Sequence, residues 1–440
     1  AYLTMAFTEI MIAVGALIAC CLQFFLGKTI GSIYNDRISG GQALGQKNTI
    51  LAIWMAHTYL NPLSSVAPGS YKSDFLRALV SIIVMIQMFY VAGQLSAGGT
   101  LLSGLLDIDY STAVIAVTVV TIVYVTLGGL FADVYTSIGQ TCLMMFAGVI
   151  VFLSGFFFFK GGITEVSTII AARDPLLTAV INPKSLHMYS YATVFGVILI
   201  EFAFSGQPQL LTKILALKDP KDMKKMIWTW IVASFCCMLV IFGGLYMLAL
   251  NPDLQQPDYA VVEYVRAYFH PIISTLLAVS IVAALMSTAC GLLLVMTTCI
   301  ANDLFIKTLV KRKIINIPQE KAQRIAFMMT KILPAVFGII CVLMTLHPPQ
   351  FMGVMVWIGI SGVASATLAP MLIAIIWPER INATAAIWGA IAGEATYMVV
   401  YLFTNIEKSV MAAGAWGLIV SFAVMWLLSS NKKKQRITEM

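Results

Sequence analysis

The amino-acid sequence predicts an all-α polytopic membrane protein. Two compositional observations carry that expectation. Of the 440 residues, 60% are apolar and only 11% are Asp, Glu, Lys or Arg, where soluble domains carry about 25% charged residues. Mean hydropathy is +0.91. A third observation is length: a helix crossing a bilayer needs about 20 mostly apolar residues. About 11 stretches meet that need: 3–26, 76–98, 112–131, 139–159, 189–211, 226–250, 271–303, 325–346, 351–376, 383–404 and 412–429. Barrel-type alternation is absent, so the stretches are helices. A soluble enzyme, a nucleic-acid-binding protein and a disordered chain are excluded.

Each stretch is justified by its run of apolar residues, and two need comment. The run 271–303 is long enough to tilt or to continue past the bilayer. A further segment, 48–70, is ambiguous: Pro62, Pro68, His57, Asn61, Ser64 and Ser65 make it a poor lipid-facing helix. It reads as a re-entrant or peripheral piece within an atypical stretch, 37–71. No polar segment is long enough for a soluble domain, so 1–440 is read as one transmembrane domain. Residues 430–440 form a basic tail.

The net charge is +7, and in a membrane protein such an excess belongs to cytoplasmic loops rather than to nucleic-acid binding. Lys213, Lys218, Lys221, Lys224 and Lys225 follow the 189–211 stretch. Lys307, Lys311, Arg312, Lys313, Lys321 and Arg324 follow 271–303, and Lys432, Lys433, Lys434 and Arg436 lie in the tail. These three segments are expected in the cytoplasm, the C-terminus included. The loops 160–188 and 251–270 then face outward. With 48–70 not spanning, Lys28, Arg37 and Lys47 also fall inside, which fits the same rule.

Chemistry in a span starts from residues that lipid does not tolerate. Glu9, Glu201 and Glu394 lie within spans, and Asp133 lies near a helix end. Each is either a cavity group or a carboxylate satisfied by a neighbouring helix. Glu201 is the strongest of them, because Gln207-Pro208 follows and a proline interrupts helix hydrogen bonding. The run from Ala283 to Gly291 places Ser287 and Thr288 in the middle of a long apolar helix. It reads as tight helix packing or as a hard-cation site. The run Gly359–Thr367, with Ser361 and Ser365 before Pro370, reads as close packing or as a helix that can bend. The eight cysteines and four histidines are scattered, with no metal-ligand spacing. No phosphate-binding loop, dinucleotide motif or catalytic triad is present, so no enzyme is expected.

These residues resemble a known family. Ser205–Lys213 (SGQPQLLTK) and Ala216–Met223 (ALKDPKDM) are similar to a signature of the sodium:solute symporters. Ala283–Thr288 with Ile300–Leu304 resembles that family's hydroxyl-bearing helix. Gly128-Gly129, Tyr135-Thr136 and Gln140 resemble a third element, while His347–Gln350 and Trp377–Ala383 resemble the sodium/pantothenate branch. The resemblance implies a five-plus-five inverted repeat of the LeuT type with extra C-terminal helices. It also implies sodium as coupling ion, alternating access and a midplane site for a small organic solute. The solute would be pantothenate, another monocarboxylate or an amino acid. Carried over by position, Ser287 and Thr288 offer hydroxyls to sodium and Ala284 a carbonyl. Ser137 stands where the family has Asp, and Cys290 where it often has Asp. Glu9, Glu201, Gln207, Gly359 and Ser361 fall on the solute cavity. Most of the family's first core helix has no counterpart, so an N-terminal truncation with an insertion is expected. An inner-membrane location is also expected, with no nucleic acid and no obligate protein partner. The alternatives are a proton-coupled or uncoupled carrier of the same fold, a fragment, or a non-transporting sensor. A sensor is disfavoured because no signalling domain follows the last span.

Overall fold

The computed structural model describes residues 73–204, 206–210, 223–254, 257–346, 352–377, 380, 382–404 and 406–429. The expectations for 3–26, Glu9, 37–71 and 430–440 lie outside the described residues. The described residues form thirteen α-helices. They are α1 (Asp74–Ile83), α2 (Gln87–Leu106), α3 (Tyr110–Phe158), α4 (Gly162–Arg173), α5 (Tyr191–Phe204), α6 (Met223–Met238) and α7 (Ile241–Leu250). Then follow α8 (Ala260–Tyr268), α9 (Pro271–Thr298), α10 (Gln319–Thr345), α11 (Met352–Ile376), α12 (Ala383–Tyr397) and α13 (Val410–Leu428). Wider π-turns extend α9 through Cys299–Val310 and α12 through Met398–Phe403.

Side chains set the helix starts. Ser73 Oγ accepts from the Leu76 amide at 3.2 Å, Asp109 Oδ2 from Thr112 at 3.2 Å, and Ser409 Oγ from Ala412 at 3.3 Å. Each satisfies an amide that the first helical turn leaves unpaired. Asn382, the first residue of a glycosylation-like triplet, caps α12 through Thr384 at 2.9 Å.

Among the described residues, eight helical segments are long and apolar enough to cross a membrane. They match the expected stretches except at two places. The stretches 112–131 and 139–159 belong to one 49-residue helix, α3. No proline separates them, so nothing breaks the backbone ladder. At 1.5 Å per residue that helix is roughly 70 Å long, and its two apolar parts are Tyr110–Thr126 and Ser137–Phe158. The 189–211 stretch stops early, at Phe204. Gln207 then accepts a turn bond from the Leu210 amide at 3.0 Å, and helix resumes at residues 208–210. This is the break that Pro208 predicts.

The core sits among α2, α9, α11 and α13. The span in α11 is 72% buried, against 17% for the span covering α6 and α7. Small residues explain the enclosure of α11. A Cβ built on Gly359 would lie 2.9 Å from the Tyr90 amide nitrogen, so α2 and α11 meet backbone to backbone. The run Gly359–Thr367 is continuous helix rather than unwound. Pro370 lies within the same helix. Phe195, Ile198, Phe202, Trp228, Phe235 and Leu343 are exposed, as lipid-facing residues should be.

Candidate functional site

The polar centre of the molecule is made of glutamines. Gln87 on α2 is fully buried, and its Nε2 donates to Gln207 Oε1 at 2.9 Å and to Gln209 Oε1 at 3.0 Å. Gln207 Nε2 donates to the Ile360 carbonyl of α11 at 3.0 Å. Three elements, α2, the turn after α5 and α11, are thus tied by one chain of amide hydrogen bonds. Buried amides in an apolar interior are costly unless paired. Gln87 Oε1 has no hydrogen-bond partner among the described residues.

The candidate cavity residues fall around this node. Ile360, which accepts from Gln207, lies between Gly359 and Ser361. Gly359 presses on Tyr90, one turn beyond Gln87 on α2. Glu201 on α5 is exposed to the surroundings and lies in the neighbourhood of Tyr90. Ser361 is fully buried but turns away from the node, against Gly414 of α13. Its hydroxyl has no partner among the described residues.

The candidate ion residues lie on α9 and α3. Thr288 Oγ1 donates to the Ala284 carbonyl at 3.2 Å, which brings two hard oxygens together one turn apart. Ala284, Ser287 and Thr288 are all half-buried. Gly291, a turn further on, faces Gln209, whose Cβ is 4.0 Å from a Cβ built there. The hydroxyl-bearing turn of α9 therefore adjoins the glutamine node. Ser137 on α3 has a buried hydroxyl without a partner among the described residues, and both amide atoms of Gln140, one turn away, are also unpartnered. The Ala284 carbonyl and the hydroxyls of Ser137, Ser287 and Thr288 are oxygens, the ligand type that suits a hard cation such as sodium.

Sequence reasoning missed Gln87, Gln209 and Tyr90. The available signal was a glutamine inside the apolar run 76–98.

Comparison with known proteins decides the class. The model of the sodium:solute symporter family matches residues 63–393. The chain belongs to the sodium:solute symporter family. Its activity class is accordingly sodium-coupled symport of a solute, with sodium as the coupling ion. The symporter is 26% identical over 361 residues to the osmoregulated proline transporter OpuE of Bacillus subtilis (strain 168), covering 80% of this chain and 69% of that protein. It is 23% identical over 393 residues to the sodium/proline symporter of Salmonella typhimurium, covering 85% and 72%. Its fold matches that of a sodium-coupled sialic acid symporter solved in a substrate-bound outward-open state. The TM-score is 0.61 at 15% identity, over 96% of this chain and 98% of that one. The symporter is thus an integral multi-pass membrane protein with a LeuT-like fold, and its family and relatives are transporters.

Proposed function

We propose that the symporter carries a small amino acid of the proline class, bound between α2, the Gln207 turn and α11. The observation that carries this reading is the glutamine node with its open acceptor, Gln87 Oε1. A solute N–H is the complement of that oxygen, and desolvated amide contacts of this kind discriminate strongly between solutes. Two of the relatives are named as proline carriers, which supports the same class. Pantothenate, suggested by His347–Gln350 and Trp377–Ala383, is the competing monocarboxylate.

In this reading Ser287 and Thr288 supply hydroxyl oxygens to sodium and Ala284 a carbonyl, with Ser137 as a further oxygen. Gly359 and Ser361 hold the Ile360 carbonyl in place, while Glu201 lines the approach beside Tyr90. Bound sodium supplies a positive charge that attracts an anionic solute group. Ordering of α9 is transmitted to Gln209 through Gly291, so sodium and solute each tighten the other's binding by the same factor. The C-terminus lies in the cytoplasm. Two contacts support this orientation. Asp74 joins Arg312 at one end of the bundle, in the basic segment. His187, in the loop expected to face outward, joins Ser409 at the start of α13.

The test is uptake into proteoliposomes with and without an inward sodium gradient, offering labelled proline, pantothenate and acetate. Sodium-driven accumulation of proline over the other two is expected. Ser287→Ala and Thr288→Ala should each raise the half-saturating sodium concentration about tenfold, the equivalent of about 1.4 kcal/mol. Unchanged sodium dependence in both removes the assigned ion site. Uptake that follows pH, ignores sodium and is lost in Glu201→Gln establishes the proton-coupled alternative instead. Binding without accumulation establishes a sensor.

A further inference from the structure

A second buried polar cluster lies away from the glutamine node, in the seam between α11, α12 and α13. Glu394 of α12 is 7% exposed, and Ser361, Ser365 and Ser421 are each 0% exposed. The seam is tight. A Cβ built on Gly393 would lie 2.1 Å from the Ser365 carbonyl oxygen and 2.8 Å from the Ser421 Cβ. Ser365 and Ser421 therefore both flank the residue that precedes Glu394.

The hydrogens in this seam can be counted. Ser365 Oγ is 2.8 Å from the Gly362 carbonyl and 3.1 Å from Glu394 Oε2. A serine hydroxyl carries one hydrogen, and a carbonyl can only accept. With that hydrogen on the nearer Gly362 oxygen, Ser365 Oγ and Glu394 Oε2 face each other without one. In that arrangement the contact is attractive when the carboxyl brings its own hydrogen; in the other, Ser365 Oγ donates to Glu394 Oε2 and gives up the Gly362 oxygen. Glu394 Oε1 and Ser421 Oγ have no partners among the described residues. A carboxylate here would hold a full charge on almost no hydrogen bonds.

Among the described residues packed on this seam, no free cation is at hand to balance such a charge. Helices α11 and α13 contain no ionisable residue. On its own helix and π-extension, Glu394 has only Tyr397 and Tyr401. The Tyr397 hydroxyl is turned to the Ile358 carbonyl at 3.3 Å, and the two rings stack. Helix α1, which also packs on α12, brings Asp74 and Arg77, already paired with each other at 2.6 Å. Arg380, ahead of α12, lies over the Trp426 ring at 3.7 Å. An unpaired charge in a membrane interior is costly, and buried carboxylates neutralise instead.

We infer that Glu394 is a proton-binding site, at which the glutamic acid O–H donates to Ser365 Oγ and locks α12 to α11. Release breaks the Glu394 O–H bond, leaves the electron pair on the carboxylate and passes the proton to water or hydroxide. Ionisation then drives the seam apart, because the charge seeks solvent. Protonation favours the packed seam, so stability falls as pH rises. This reading does not depend on which solute is carried.

The experiment uses the full chain in lipid nanodiscs. Thermal unfolding is followed from about pH 4, near the unfolded glutamate value, to about pH 9, and the protonated-carboxyl C=O band is read by infrared spectroscopy. The wild type should lose several degrees more than Glu394→Gln over that range, because the amide cannot ionise. At neutral pH the C=O band should be present in wild type and in Glu201→Gln and reduced in Glu394→Gln. Parallel loss of stability in wild type and Glu394→Gln, or a band that Glu394→Gln leaves unchanged, overturns the assignment. If Glu394→Gln does not fold, Ser365→Ala serves in its place. Loss of the acceptor should move the band to higher frequency, and an unmoved band overturns the proposal.

Discussion

A glutamine side chain offers two N–H donors and a carbonyl acceptor, and Gln87 uses both donors on Gln207 and Gln209. Its acceptor is left open in a fully buried position. An open, buried acceptor costs about 1–3 kcal/mol, which a solute N–H can recover. A different residue reports on pH. His187 Nδ1 is 3.1 Å from Ser409 Oγ, whose lone pair already caps α13. The serine hydrogen is then free for a neutral ring to accept. Burial holds His187 below the ordinary histidine range. The folded state therefore favours the neutral ring. That contribution is complete above the unfolded value of about 6.5 and fades as pH falls through the lower folded value. On acidification from about pH 7 to about pH 5, wild type should lose more thermal stability than His187→Gln, which accepts from Ser409 but does not titrate. Equal losses would exclude His187 as the group responsible.

Helix pairing is decided where side chains are smallest. Gly359 lets α11 approach the Tyr90 backbone, and a Cβ there would lie 2.8 Å from the Tyr90 Cβ. Gly359→Val therefore overpacks the α2–α11 contact. The expected cost is about 1–3 kcal/mol, seen as a lower unfolding temperature in detergent. Because Tyr90 is one turn from Gln87, the same change should also weaken solute affinity. A variant with wild-type stability and affinity would show that the helices can separate without consequence. At this scale the hydroxyls on α9 and α11 had two readings, packing and ion binding. Thr288 bonds to Ala284 next to the glutamine node, whereas Ser361 packs against α13. Residues of one type thus serve different surroundings.

The whole molecule is tied at one end by a small ion network. Asp74 pairs with Arg77 at 2.6 Å and with Arg312 at 2.9 Å, joining α1 to the segment after the π-turns of α9. The Arg312 side chain is 54% exposed, so solvent screening keeps the pair weak. A double-mutant cycle with Asp74→Asn and Arg312→Gln should give a coupling of about 0.5–1 kcal/mol, decreasing with added salt. Additive effects would mean that the contact does not couple the two elements. The opposite end is joined by His187 with Ser409, and by the Tyr189 hydroxyl with Glu407.

Composition and apolar runs determined the class and eight of the helical spans, and Pro208 marked the break after α5, because lipid favours helices and leaves a lengthwise record of about 20 residues per crossing. The order of motifs pointed to the family. Only the tertiary structure decided which polar residues meet. Gln87 and Gln207 are 120 residues apart in the chain, and no local pattern links them. The fate of Ser361, the continuity of α3 and the isolation of Glu394 were likewise decided in three dimensions. Hydrogen bonding and charge burial depend on which neighbours arrive from other helices, and helix packing, not periodicity, sets those neighbours.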